Sequence, residues 1–225
     1  LADALAERCL KTEDALDVGC GSGQLSVLLA DRFDKVTATD PSETQLENAT
    51  VHPCVSYLSE PAEQIGLPDA LVDLITAAQA AHWFDLDAFY REVRRVARPG
   101  ALLALVSYGV PTMEGKLGER LAKFYWRDIH VHWPEGRKQV EEGYRTLPFP
   151  FEDQVMPALT ITREWSLGQL IAYVCTWSAA KRALAAGDAA VVDDFVRDLA
   201  PFWERPDQPQ TIRWPIVGRV ARVDA

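Results

Sequence analysis

The sequence predicts an α/β fold: a doubly wound, mostly parallel sheet with helices on both faces. Short apolar runs alternate with amphipathic stretches from residue 14 to residue 107, as strands and crossover helices do. Three alternating glycines follow the first apolar run, and an acid follows the second. A glycine turn after one strand and an acid after the next are typical of this class of sheet.

The first half of the chain contains five predicted strands joined by helices. We predict strands over residues 14–18, 35–39, 55–58, 71–77 and 101–107. Helices are predicted over residues 24–33, 41–49 and 85–97. Ser42 is placed to cap the second helix, with Gln45 completing a capping box, and Arg98-Pro99-Gly100 is predicted to stop the third helix.

The alternation of strands and helices breaks after Ser107. Residues 109–152 hold prolines, aromatics, histidines and charges without strand periodicity, so we place an inserted lid there. A strand over 158–165, helices over 167–186 and 190–203, and a strand over 211–223 follow. The 225 residues suit one domain, with a core of about 1–108 and 153–225 around the lid.

Composition argues against several classes of protein. A formal net charge of -10 disfavours a nucleic-acid partner, because such binding rests on clustered Lys and Arg. No apolar run reaches the roughly eighteen residues of a membrane span. The four cysteines are scattered, without the spacing of a metal site, and indicate reduced thiols in a soluble cytoplasmic protein. The chain opens at Leu1 inside a helical pattern, which leaves open whether a segment precedes it.

The glycine run predicts a ligand that contains a nucleoside. Gly19, Gly21 and Gly23 let the backbone approach a ligand closely, and Asp40 at the end of the second strand suits the two hydroxyls of a ribose. Gln24 stands where a dinucleotide fingerprint has its third glycine, which argues against a nicotinamide cofactor. The carboxylate of Asp17 can accept from the turn's amides or from a ligand ammonium group, which indicates a nucleoside bearing an amino acid.

Residues 16–23, Leu-Asp-Val-Gly-Cys-Gly-Ser-Gly, resemble the first motif of class I S-adenosylmethionine-dependent methyltransferases. Asp40 lies where that family has its ribose-binding acid, and Ala62-Glu63 matches the segment that flanks the adenine. Residues 73–84 are similar to the motif after strand four in a small-molecule subgroup that includes trans-aconitate methyltransferases. The resemblance covers roughly residues 14–107 closely and the rest more loosely.

This resemblance implies a Rossmann-like fold of seven strands whose last two form an antiparallel hairpin, and S-adenosylmethionine as the cofactor. The residues that it implies for cofactor binding are Asp17, Gly19, Cys20, Gly21, Gly23, Asp40, Pro41, Ala62, Glu63, Ala78 and Gln79. Many relatives carry an acid where this chain has Pro61, which we interpret as a residue of the first turn of a helix. Glu63 is equally well explained as an acid in that turn.

His82 is the residue that we would assign as a catalytic base. A sulfonium methyl group is already activated, so the protein has to align the acceptor and exclude water, and no base is obligatory. His82 follows Gln79 at the carboxyl end of the fourth strand, where ligands of open α/β sheets bind. The alternative is a histidine that only packs beside Trp83.

Aromatic, histidine and arginine side chains are predicted to bind the acceptor. They are Trp83, Tyr108, His130, His132, Trp133 and Arg137. An arginine can pair with a substrate carboxylate, although a cap helix with a solvated charged face explains the lid residues as well.

We therefore expect methyl transfer to a small molecule, to an oxygen of a carboxylate or a hydroxyl. Carbon methylation of a quinone-type precursor and a non-catalytic cofactor-binding module are the alternatives, and a nicotinamide oxidoreductase is the most distant one. An aromatic pocket without basic groups would favour the quinone, whereas an inward arginine would favour an acid.

Overall fold

The computed structural model describes residues 1–224, which form two compact units. Unit 1 comprises Leu1–Ser107, Glu142–Pro157 and the chain from Val217 onward. Unit 2 comprises Tyr108–Glu141 and Ala158–Ile216. The expectation of a single domain with a lid at about 109–152 stays a prediction.

The strands form one mixed sheet. They are β1 (Asp14–Val18), β2 (Lys35–Thr39), β3 (Val55–Leu58), β4 (Val72–Ala78), β5 (Ala97–Tyr108), β6 (Asp153–Gln154), β7 (Leu159–Trp165) and β8 (Gln210–Val223). Their order is β3-β2-β1-β4-β5-β8-β6, and β7 pairs with β8. Strands β1 to β5 are parallel, whereas β6 and β7 run antiparallel to β8. The predicted α/β class and antiparallel C-terminal pair are confirmed, and the two-residue strand β6 is an addition to the seven strands expected.

The helices connect and flank these strands. They are α1 (Ala2–Ala6), α2 (Gln24–Ala30), α3 (Glu43–Glu47), α4 (Leu86–Val96), α5 (Gly115–Lys123), α6 (Arg137–Glu141), α7 (Leu167–Thr176), α8 (Ser178–Ala185) and α9 (Ala190–Leu199). The Ser42 hydroxyl accepts from the Gln45 backbone at 3.4 Å, so the predicted cap of α3 is confirmed. Over residues 1–224, no helix is long and apolar enough to cross a membrane.

The helix predicted over 167–186 is two helices, because Trp177 is extended. Its backbone lies at φ −61° and ψ 139°, which ends α7 and starts α8 at the same residue. The Trp177 ring is buried in contact with Phe124, Tyr125 and Tyr173, and this packing outweighs helix continuation.

The helix before Arg98-Pro99-Gly100 stops as predicted, because α4 ends at Val96. The predicted start of the next strand at residue 101 is wrong, because β5 begins directly at Ala97 and includes these three residues. The Arg98 guanidinium donates to the buried carboxylate of Asp73 at 2.8 Å, which holds this segment along the edge of β4. The prediction that Pro61 and Glu63 lie in the first turn of a helix is wrong, because the segment between β3 and β4 forms turns and no helix. Arg95 holds that segment by donating to the carbonyls of Ile65 and Leu67.

Each unit has its own core. In unit 1, consecutive residues of the central strands are buried on both faces of the sheet, among them Leu16, Val18 and Leu74. Unit 2 is built around stacked aromatic rings, with the Phe124 and Phe195 centroids 4.0 Å apart. Burying one such side chain contributes about 1.5–3 kcal/mol.

Candidate functional site

Asp40 fastens the glycine loop to the end of β2. The backbone N–H groups of Gly19 and Cys20 both donate to the carbonyl of Thr39, at 2.8 and 3.0 Å. Asp40 accepts from the N–H of Gly21 through Oδ2 and from the N–H of Ser42 through Oδ1, each at 2.9 Å. A carboxylate has about four acceptor sites, so Asp40 can also receive ligand hydroxyls.

The three loop glycines differ in what surrounds them. All have a positive φ, of 68°, 57° and 81°. A Cβ on Gly19 would lie 2.5 Å from the Cβ of Ala80, and one on Gly23 would lie 2.1 Å from the Tyr57 hydroxyl. Gly21 is different: the nearest atoms are side-chain oxygens of Gln24 and Gln45, both at 3.9 Å. Packing therefore requires Gly19 and Gly23, whereas Gly21 leaves an open cradle that a ligand can occupy.

Asp17 lies under this loop and is almost completely buried. Its carboxylate accepts from Ser26 of α2 at 2.7 Å and from Thr76 of β4 at 2.8 Å. Burial raises its pKa to about 6, while the two hydroxyl donors lower it and the charge of Asp40 raises it. Asp17 thus ties β1 to both α2 and β4, and a positive charge nearby would favour its ionised form.

The segment after β4 carries a strained residue. Gln79 follows Ala78 with a φ of 58°, in the left-handed region that side chains rarely adopt. Its N–H donates to the carbonyl of Val106 at 2.8 Å, and its Nε2 donates to the Ser107 hydroxyl at 3.0 Å. Such strain costs about 1–2 kcal/mol and persists only where the surroundings hold it, which is common at functional sites.

His82 lies in the short helical turn that follows Gln79. Its Nδ1 is 3.2 Å from the hydroxyl of Tyr144, also of unit 1. The neighbouring Trp83 was predicted to bind the acceptor. Its side chain is 76% exposed, so its ring is not part of a buried pocket in this structure.

The remaining cofactor candidates of unit 1 have defined neighbours. Glu63 accepts a hydrogen bond from the backbone N–H of Asp85 at 2.8 Å, and this contact fixes the start of α4. Ala62, the residue before Glu63, is buried. Burial, together with the charges of Asp17 and Asp40, raises the pKa of the Cys20 thiol to about 12, so this thiol stays protonated. Pro41 is exposed after Asp40.

The cofactor candidates thus gather at the carboxyl ends of neighbouring parallel strands. Val18 of β1 pairs with Thr39 of β2, and Asp17 pairs with Thr76 of β4. This is the edge at which open α/β sheets bind ligands. Among residues 1–224, no group of three or more His, Cys, Asp or Glu side chains could hold a metal ion.

Comparison with known proteins identifies the family. Residues 16–105 match the family model described as a methyltransferase domain. A protein of Dictyostelium discoideum that is named as a methyltransferase is 34% identical over 200 residues, which are 88% of this chain and 76% of that protein. The chain belongs to the class I S-adenosylmethionine-dependent methyltransferases. S-adenosylmethionine is therefore its cofactor, and the open cradle at Gly21 beside the Asp40 carboxylate fits that group.

A solved structure agrees with this assignment. The methyltransferase is 42% identical to an Anaeromyxobacter dehalogenans protein described as a type II methyltransferase, with a TM-score of 0.94 over 99% of this chain and 95% of that one. Other curated relatives match only in part: a malonyl-[acyl-carrier protein] O-methyltransferase of Serratia marcescens is 33% identical over 48% of this chain and 42% of its own length. The trans-aconitate subgroup stays a prediction.

Unit 2 brings together three of the predicted acceptor-binding residues. Tyr108, Trp133 and Arg137 line one cavity of about 190 Å³. His130 is exposed, and His132 pairs through Nε2 with Asp188 at 2.9 Å, so neither histidine lines that cavity.

Sequence reasoning missed Tyr173, Trp165 and Trp214. Tyr173 lines the cavity with Arg137, and all three line a second cavity of about 150 Å³. They come from α7, β7 and β8, and each looks like an ordinary core aromatic in its local sequence. The family resemblance is loose in this part of the chain and did not single out any of the three.

Proposed function

We propose that this methyltransferase transfers a methyl group to an oxygen of a small molecule, a carboxylate or a hydroxyl. The observation that carries the proposal is the arginine in the aromatic cavity of unit 2. A cavity for a neutral quinone-type ring needs no cation, whereas Arg137 beside Trp133 suits an acidic acceptor.

The residues of unit 1 hold the cofactor in this proposal. Gly21 gives the ligand access to the loop backbone, Asp40 receives the ribose hydroxyls, and Asp17 supplies negative charge below the loop. S-adenosylmethionine, when bound, would supply a methyl group activated by its sulfonium sulfur: a bond between the acceptor oxygen and the methyl carbon would form while the C–S bond breaks and leaves its electron pair on sulfur.

The protein's further task depends on the acceptor. A carboxylate is already an anionic nucleophile and becomes a neutral ester, so it needs alignment and no base. A hydroxyl must lose its proton, and we assign its removal to His82, whose ring is held through Nδ1 by the hydroxyl of Tyr144.

Methyl transfer from labelled S-adenosylmethionine to an acceptor panel tests the proposal. The panel contains carboxylic acids, phenols, alcohols and quinol-type rings. We expect label in base-labile esters or in ethers. Label on ring carbon would overturn the proposal in favour of carbon methylation, and cofactor binding without label in any acceptor would favour a non-catalytic module.

A cytoplasmic location without a nucleic-acid partner belongs to the same proposal. The net charge of -10 and the four cysteines, all free in the structure, support it.

A further inference from the structure

Two cavities of unit 2 have lining residues in common. The first, of about 190 Å³, and the second, of about 150 Å³, both include Tyr108 and Tyr173 in their linings. Arg137 lines the first cavity, and Arg163 lines the second. No Asp or Glu among the described residues lines either one, although the whole chain carries a net charge of -10. The walls therefore favour an anion.

Arg137 is held so that one edge of its guanidinium stays available. Its carbon Cζ lies 4.6 Å above the Trp133 ring and 5.6 Å from the Tyr125 ring centroid. Nε donates to the Tyr125 hydroxyl at 2.7 Å and lies 3.6 Å from Glu141. The two terminal amino groups make no hydrogen bond to any residue in the described range 1–224, and such a pair matches the two oxygens of a carboxylate.

Two other side chains that line the first cavity, Tyr173 and Trp133, carry polar groups. The Tyr173 hydroxyl accepts from the indole of Trp214 at 3.1 Å. A hydroxyl that accepts a hydrogen bond still has its own proton to donate. Nε1 of Trp133 is buried without a hydrogen-bond partner among the described residues, and an unpaired buried donor is costly.

The second cavity, which Tyr173 also lines, has mostly apolar walls. Its walls include Ile161 and the rings of Trp165 and Trp214, whose centroids lie 5.1 Å apart in an edge-to-face arrangement. Flat apolar groups pack well against such rings.

We infer that unit 2 binds a small organic acid with a flat apolar body, and that this is the acceptor class of the methyl transfer, a step that rests on the function proposed above. Arg137 and Tyr173 hold the carboxylate. The rings of Trp165 and Trp214 contain the body.

Binding of phenylacetate, phenylacetamide and acetate, followed by tryptophan fluorescence, tests this inference. The amide keeps the ring and loses the charge, and acetate keeps the charge and loses the ring. We expect phenylacetate to bind at least about tenfold more tightly than either, because a charge-assisted pair contributes on the order of a tenfold to hundredfold change in Kd. Equal affinity for the acid and the amide would overturn the inference, as would no binding of phenylacetate.

Arg137→Gln should abolish the preference for acid over amide. Arg182→Gln is the matched control, because Arg182 is an exposed arginine of unit 2 outside both cavities. A retained acid-to-amide ratio in R137Q would contradict the role of Arg137. If thermal unfolding shows that R137Q does not fold, Arg137→Lys takes its place. This variant keeps the positive charge and loses the paired terminal amino groups, so it should lower the acid-to-amide affinity ratio.

Failure here is separable from failure of the proposed function. If phenylacetate does not bind while other acceptors are oxygen-methylated, only the inference falls. If phenylacetate binds with the expected pattern and no acceptor is methylated at oxygen, the proposed function falls and the anion site stands.

Discussion

The carboxylate of Asp40 accepts a hydrogen bond from the backbone N–H of Gly21, at 2.9 Å. This contact joins the end of β2 to the middle of the glycine loop after β1. It places the acid that suits a ribose beside the glycine whose missing Cβ leaves open space. Gly21 and Asp40, the two most informative positions of the sequence, are thus in direct contact.

Asp40→Ala should weaken S-adenosylmethionine binding at least about tenfold. The substitution removes the acceptor for ligand hydroxyls and leaves the N–H groups of Gly21 and Ser42 without this partner. Titration calorimetry measures the Kd. Asp34→Ala, at an exposed acid before β2, is the control and should change little. Equal affinity in D40A and D34A would contradict a binding role for Asp40.

Gly21→Ala should separate backbone strain from ligand access. Gly21 and Gly115 have almost the same φ, 57° and 58°, and a Cβ on either meets no atom closer than 3.9 Å. Each alanine variant should lose about 1–2 kcal/mol of stability in urea unfolding, because both glycines have a left-handed backbone conformation that alanine adopts at a cost. Only G21A should also lose cofactor affinity in calorimetry. An unchanged Kd in G21A would show that no ligand approaches this loop closely.

Asp17 should make stability depend on pH between about 4 and 6. Burial raises its folded-state pKa from 3.8 to about 6, so the folded protein holds the proton more tightly than the unfolded chain. This contribution to stability is fully present below pH 3.8 and is lost as the pH rises through 6.

The comparison of wild type with Asp17→Asn isolates that effect from other carboxylates. The stability of wild type relative to D17N should fall on the order of 2 kcal/mol between pH 4.5 and 7. Urea unfolding at the two pH values measures it, with Asp34→Asn as the exposed control. A difference that does not change with pH would mean that Asp17 ionises normally.

His82→Ala should affect only acceptors that lose a proton. Transfer to a phenol should slow by about 10²–10⁴, the usual contribution of a positioned base, while transfer to a carboxylate should stay near the wild-type rate. Tyr144→Phe, which removes the hydroxyl beside Nδ1, should have a smaller effect in the same direction. Labelled methyl transfer at several pH values measures both. A rate loss equal for phenols and carboxylates would indicate that His82 only packs.

Local patterns were enough for most of the strands and for the glycine loop. β1, β2 and β3 match their predicted limits because each is a short apolar run between clear turn residues. Predictions failed where a distant partner decides the backbone. Arg98 is held by Asp73, and the extended Trp177 stacks on Phe124; both of these partners lie far away in the sequence.

The sequence by itself determined the α/β core, and its family resemblance implied the methyl donor, because the residues that indicate both lie in one segment with recognisable spacing. Only the tertiary structure decided what surrounds Arg137. Tyr173 reaches its cavity from α7, and Trp214 reaches the neighbouring cavity, which Tyr173 also lines, from β8. Both elements lie far along the chain from Arg137. Side-chain packing between distant segments has no period or spacing in the sequence, so the polar and apolar walls of unit 2 become visible only once the chain has folded.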